Sequence, residues 1–429
     1  MNKPAPPSSA DEVIVRRLRW LTCIFAGVLV AATWPLWKPI SPFPEIPWME
    51  HWVRYPRTAW DVSIAGNLPV FLLLQLLEIK RTWLRRSLNA YFAVTGLIYL
   101  LFDQHRLQPW VVQMLILTTL LAFSSARTGV RCARLLVVSI YVHSALSKVD
   151  VAFLDSHGQF LLDGLTTALG LSTELWSETA RRALTAMFPV GELLAALCLT
   201  WPRSRRLGLI LAILMHVMLL LTLGPWGHGH HAGVLIWNVY FILLDLLIFR
   251  QTTPEENAMT ELPDREFNMC SAGVSRRVGI PAAWAGTMFF VFLPCLNWWG
   301  LWDHWPSWAV YSSRPSIVEV YVPEGHIERL PTSLQTLVSS PEPLSDQCRV
   351  NLDAWSFEML RCPMYPQERY RVAVALALSN ECHIDAMRLV IHSSPDRWTG
   401  EREAVVLKGT AEIQARADSF WLNTKARLE

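Results

Sequence analysis

The stretch Tyr141-Val-His143-Ser144-Ala-Leu-Ser147-Lys148-Val-Asp150 sets a lysine, hydroxyls and an imidazole inside an otherwise apolar run. At 3.6 residues per turn, Tyr141, Ser144 and Lys148 fall on one helical stripe, while His143 pairs with Ser147 on another. A lysine on such a stripe can act as a base where burial favours its neutral amine. Its other reading is an ammonium that snorkels to lipid headgroups. Glu192, His216, Asn238 and Asp245 interrupt further apolar runs. Ionisable groups in a lipid-spanning helix need a partner or a water-filled cavity. Glu192 and His216 therefore read either as a hydrogen-bonded pair that fixes packing or as a proton relay. Asp245, close to the end of its run, reads as solvated. The candidate catalytic set is Lys148, Glu192, His216, Tyr141, Ser144 and His143.

A second cluster, Gly224-Pro-Trp-Gly-His228-Gly-His230-His231, offers three imidazoles as metal candidates. It carries no acidic or thiol ligand, and its glycines fit a solvated loop, so no metal is assigned to His228, His230 or His231.

Those residues must be positioned by membrane helices. Of 429 residues 52% are hydrophobic and 17% charged, where soluble domains carry about 25% charged. The 21 tryptophans suit membrane–water interfaces. A net charge of +2 excludes a nucleic-acid partner of the electrostatic kind. A span needs about 20 mostly apolar residues. Candidates are 20–37, 62–79, 88–102, 107–125, 133–149, 183–201, 207–223, 232–249 and 278–300, which predicts about nine transmembrane helices. Counting Lys and Arg in alternate loops gives eighteen on the side of the N-terminus and seven on the other. By the positive-inside rule the N-terminal segment, 1–19, is cytoplasmic, and the chain beyond the ninth span is exported.

The expected organisation is a transmembrane domain over 20–310, with short helices on the outer surface at 150–182, and an extracytoplasmic β-rich domain over 311–429. Strands are predicted at 316–322, 370–378 and 387–391, where β-branched residues alternate, with turns at 341–343 and 363–366. Cys348, Cys362 and Cys382 lie in that tail and allow one disulfide with one free thiol. Cys23, Cys132, Cys198 and Cys295 read as packing residues, and the chain has no CxxC.

Around 141–150 and 188–216 the chain resembles the horizontally transferred transmembrane (HTTM) domain of vitamin K-dependent gamma-carboxylase and its bacterial relatives. Tyr141 to Asp150 is similar to the family's Tyr…Lys-Leu-Asp helix end, Phe188-Pro-Val-Gly-Glu192-Leu-Leu to its acidic helix, and Arg205-Arg206-Leu-Gly208 to its basic turn. His216 falls where the family has a histidine. The resemblance implies that Lys148 is the base that activates a hydroquinone, with Ser147 replacing a preceding lysine, over roughly residues 15–310. The large luminal part that binds the carboxylases' substrate has no counterpart in the 119-residue tail. A fainter similarity, to DoxX-like, methylamine-utilisation-type membrane proteins, rests on the Ser-Lys pair followed by an acidic residue. The expectation is thus a bacterial inner-membrane protein. It either acts on a quinol or another lipid-soluble substrate, with a quinone/hydroquinone as the cofactor class, or is a redox-associated scaffold whose periplasmic domain binds a protein partner.

Overall fold

The computed structural model describes residues 10–38, 43–54, 81–250 and 274–427, with isolated positions between 62 and 79. The expected span at 62–79, and the basic residues Lys3, Arg57, Lys80 and Arg265 used in the loop count, lie outside the described residues. The membrane part contains α1 (Ala10–Ala32), α2 (Thr82–Leu101), α3 (Pro109–Phe123), α4 (Ala126–Leu146), α5 (Val151–Asp155) and α6 (His157–Ala168). It continues with α7 (Glu178–Thr200), α8 (Arg205–Leu223), α9 (Ala232–Phe249) and α10 (Val274–Phe292). Among the described residues four helices, α4, α7, α8 and α9, are long and apolar enough to cross a membrane, and two apolar helices are shorter, 87–101 and 109–123. Membrane association is the consequence of these helices. α1 begins at Ala10, inside the expected 1–19 segment, because Ile14 and Leu18 continue the stripe that Cys23 and Leu29 bury.

The helices that matter for the site are fixed by short-range chemistry. Ser125 caps α4 by accepting from Thr128 N (3.3 Å), and Asp150 caps α5 by accepting from Phe153 N at 2.6 Å. α4 therefore ends just before Lys148, and the chain turns outward at once. α7 and α8 form a tight hairpin at Gly208, where a Cβ would sit 2.6 Å from the backbone N of Leu199. Only glycine allows that approach, and it brings the Glu192 face of α7 alongside α8. Thr22 Oγ1 and Tyr240 Oη, 3.0 Å apart, tie α1 to α9, and Trp237 Nε1 donates to Gln113 Oε1 (2.7 Å), tying α9 to α3.

The tail is α+β rather than simply β-rich. It holds β1 (Ile317–Pro323), β2 (Val338–Pro341), β3 (Gln347–Val350), α11 (Leu352–Leu360), α12 (Glu368–Glu381), β4 (Arg388–His392), β5 (Ala404–Lys408) and α13 (Gly409–Asp418). The strands form one antiparallel sheet in the order β2-β3-β1-β4-β5, with Val320 opposite both Val350 and Leu389. The expected strands at 316–322 and 387–391 are β1 and β4, whereas 370–378 is helical. The apparent alternation there is Ala373, Ala375 and Ala377 set between larger apolar residues, and nearly all of it is buried. With every face buried, a period of two carries no information, and alanine's helix propensity decides. Cys348, Cys362 and Cys382 are free thiols, so the expected disulfide is absent.

The tail is locked onto the membrane part by polar groups from both. Gln104 Nε2 donates to Asn423 O (2.9 Å), Asn423 Nδ2 donates to Pro47 O (2.8 Å), and Arg427 N donates to Glu45 O (2.9 Å). Arg369 clasps the Asp303 carboxylate and donates to Gln104 Oε1 at 2.9 Å. His105 lies buried in this seam, its Nδ1 2.9 Å from Tyr370 Oη and its Nε2 2.9 Å from Pro363 O.

Candidate functional site

Lys148 leaves the last turn of α4 and points into the bundle, 4% exposed. Its Nζ donates to Ser144 Oγ (2.6 Å) and Ser144 O (3.1 Å). It also lies 3.1 and 3.0 Å from the two carboxylate oxygens of Glu192 on α7. The stripe of Tyr141, Ser144 and Lys148 read from spacing is thus present, and Lys148 does not snorkel. Its partner is Glu192, so the Glu192–His216 packing pair, one of the two readings of those residues, is not formed.

His216 belongs to a second network, two turns away along α4. Tyr141 Oη lies 2.9 Å from His216 Nε2 and 2.5 Å from Asp245 Oδ2. His216 Nδ1 faces Asn238 Oδ1 at 2.8 Å, and Asn238 Nδ2 donates to Val234 O at 2.8 Å. The ring of His216 stacks on Phe241, centroids 4.8 Å apart. Asp245, expected to be solvated, is fully buried. α9 turns it inward toward α4, because position along a helix does not determine azimuth.

Both networks line one cavity of about 310 Å³. Tyr141, Ser144, Lys148, Glu192, His216 and Asn238 supply its polar groups, and the rest is apolar, including Met187, Phe188, Met215 and Phe241. Met187 and Leu214 line it while being 57% and 52% exposed, so it reaches the outer surface of the bundle between α7 and α8. On the tail side it is closed by Trp308, Val310 and Tyr311. Trp308 and Tyr311 have φ of 63° and 55°, a left-handed conformation costly for bulky residues, held by the packing on both sides. Ser312 Oγ ties this segment to the end of α4 by donating to Ser147 O at 2.7 Å.

Beyond that wall lies a larger cavity of about 620 Å³ between the membrane part and the tail, which shares Val234, Trp237, Val310 and Tyr311 with the inner one. His157 on α6 faces it, with Nδ1 3.1 Å from Ser313 Oγ, and Arg402 NH1 donates to Ser393 O at 2.6 Å and to Pro315 O at 3.0 Å. Burial, with smaller contributions from the nearby Arg402 and Lys148 charges, pushes the His157 imidazole below its ordinary range. His157 and Tyr311 escape a reading of the sequence because neither lies in an apolar run or a spaced motif.

The other candidates fall elsewhere. His143 turns away from the cavity to α10, its Nε2 2.8 Å from Val291 O, and is removed from the catalytic set. His228 stacks on Phe160 (3.7 Å) with Nε2 2.6 Å from Phe160 O, and His231 stacks on Phe357 of α11 (4.3 Å). These imidazoles are clamps between α6, the loop and the tail. Among the described residues no group of three or more His, Cys, Asp or Glu could hold a metal ion.

Compared with known proteins, the chain matches no family model, no curated protein and no solved structure.

Proposed function

We propose that the inner cavity takes a lipid-soluble ligand of the quinol class and that the Lys148–Glu192 pair exchanges a proton with it. What carries the reading is the convergence of Lys148, Glu192, Tyr141, Ser144 and His216 on one apolar-walled cavity that opens between α7 and α8. A flat, lipid-soluble molecule with polar ends suits such a lining. Both Glu192 oxygens lie within hydrogen-bond reach of Lys148 Nζ, so one proton can pass between amine and carboxylate, leaving a neutral amine toward the ligand. Ser144 fixes the amine's direction. The resemblance to the gamma-carboxylase transmembrane domain rests on these same residues and supports the quinol class, with Lys148 as base. The resemblance covers the transmembrane domain, and the chemistry proposed there is confined to proton exchange with the quinol.

The test is chemical extraction. Protein purified in mild detergent and extracted with organic solvent should yield a quinone in near-stoichiometric amount by mass spectrometry. Glu192→Leu, which puts a branched apolar side chain where the carboxylate was, should lose it. No quinone in any preparation, and no binding of added quinone, would overturn the reading.

We place the protein in the bacterial inner membrane with about nine spans, N-terminus in the cytoplasm and tail in the periplasm, on the asymmetry of basic residues between loops. A cysteine at the exposed Trp226 or Trp421 is then expected to react with an impermeant thiol reagent in intact cells, and one at Arg206 is not. The opposite pattern would invert the topology.

A further inference from the structure

The Tyr141, His216 and Asp245 contacts constrain where protons sit. Asn238 Nδ2 is committed to Val234 O, so its Oδ1 faces His216 and the imidazole must carry a proton on Nδ1. Tyr141 Oη has one proton and two neighbours, Asp245 Oδ2 at 2.5 Å and His216 Nε2 at 2.9 Å. Were Asp245 ionised and His216 neutral, the phenol would donate to the carboxylate and leave two lone pairs facing each other at 2.9 Å. One more proton is needed. It sits either on His216 Nε2, donated to the Tyr141 oxygen, or on Asp245 Oδ2, in which case Tyr141 donates to Nε2.

We infer that Asp245, Tyr141 and His216 form a one-proton store that serves the inner cavity. The proton rests on Asp245. The carboxyl is fully buried and its Oδ1 has no hydrogen-bond partner among the described residues, a costly environment for a carboxylate and a tolerable one for an acid. In moving to His216 it makes two coupled hops: the Tyr141 proton passes to Nε2 as the Asp245 proton passes to Tyr141. Charge and atoms balance, with a carboxylate and an imidazolium replacing two neutral groups. Tyr141 and His216 both line the cavity, about 10 Å from Lys148 along α4 at 1.5 Å per residue.

On the reading that the cavity holds a ligand with two protonatable oxygens, Lys148–Glu192 serves one end and this store the other. The other buried charged or titratable side chains on the packed helices are Cys132, Arg134 and His143 on α4, Lys148 just beyond its end, Glu192 on α7, Arg205 on α8, Tyr240 on α9 and Cys23 on α1. Among the described residues the hydrogen-bond partner of Asp245 Oδ2 is Tyr141 Oη. Asp245 lies one turn from the C-terminal end of α9.

The experiment is infrared spectroscopy of the ligand-free protein in lipid nanodiscs, with isotope labelling of aspartate carboxyls for assignment. It reads proton position without any quinol, so its failure is distinct from failure of the ligand proposal. At neutral pH a carboxylic acid C=O band is expected. The band should shift on deuteration, move with aspartate labelling and vanish in Asp245→Asn. Tyr141→Phe should move it, because the acid loses its acceptor, while Glu192→Gln should leave it in place. Where Asp245→Asn does not fold, an aspartate-labelled band in the unmodified chain that moves in Tyr141→Phe identifies the carboxyl beside Tyr141. Absence of any labelled aspartic-acid band at neutral pH, or a band indifferent to Tyr141→Phe, would overturn the store.

Discussion

Lys148→Met is expected to destabilise the membrane part by about 3–5 kcal/mol, because it leaves the Glu192 carboxylate buried without its cation. Removing both charges, in Lys148→Met with Glu192→Met, should restore most of that stability, since an ion pair and a well-packed apolar pair of similar volume are often close in energy. Chemical denaturation in mixed micelles reads both variants, and the cycle gives the coupling directly. Lys148→Arg separates charge from chemistry. A guanidinium keeps the positive charge beside Glu192 but does not give up a proton at neutral pH. The fold should survive, and any quinol-dependent activity should fall by about 10²–10⁴, the usual contribution of a positioned acid–base group. Complementation of a deletion strain at matched expression checks it. Full rescue by the arginine variant would reduce Lys148 to a structural cation.

Acidification is expected to loosen the tail from the membrane part. His105 sits in the seam between them and His304 at its edge, and burial pushes both imidazoles down from 6.5 to about 4. Charged neighbours (Arg371, Asp353 and Arg106 for His105; Asp303, Arg314 and Arg369 for His304) shift this less than desolvation does. The unfolded chain therefore binds more protons than the folded one between those two values, and stability rises with pH across that window. Each histidine contributes on the order of 3 kcal/mol, fully present above the unfolded value and lost as pH falls from 6.5 toward 4. The structural event is specific. Protonating His105 Nδ1 removes the acceptor that Tyr370 Oη uses, and protonating His304 Nδ1 removes the one that Asn297 Nδ2 uses. Limited proteolysis and the unfolding midpoint should show a steep acid limb. His105→Gln, though less stable at neutral pH, should flatten that limb. A midpoint unchanged from pH 6.5 to 4 would contradict the burial of these rings.

Much of the site is legible in the chain because lipid makes polar residues informative. A lysine, a glutamate and a histidine inside apolar runs each require a partner, so Lys148, Glu192 and His216 stand out in sequence, and 3.6-residue periodicity alone puts Tyr141, Ser144 and Lys148 on one face. The apolar runs likewise announce helices. β4 is legible through real alternation, with Leu389 and Ile391 buried between half-buried neighbours, and β1 through its run of β-branched residues.

What the tertiary structure decides is who meets whom. Periodicity gives a residue's azimuth on its own helix and nothing about which neighbouring helix that face meets. That is why sequence alone offers a Glu192–His216 pair as one reading and misses Glu192 with Lys148, groups His143 with the site, and leaves Asp245 in solvent when α9 turns it onto Tyr141. The helix at 368–381 is hidden for the complementary reason. Buried on every side by the sheet and α13, it has no polar face to betray its period. The wall of Trp308 and Tyr311 is of the same kind. It exists only where the tail docks, and docking is set by long-range contacts such as Gln104 to Asn423 that no local pattern encodes.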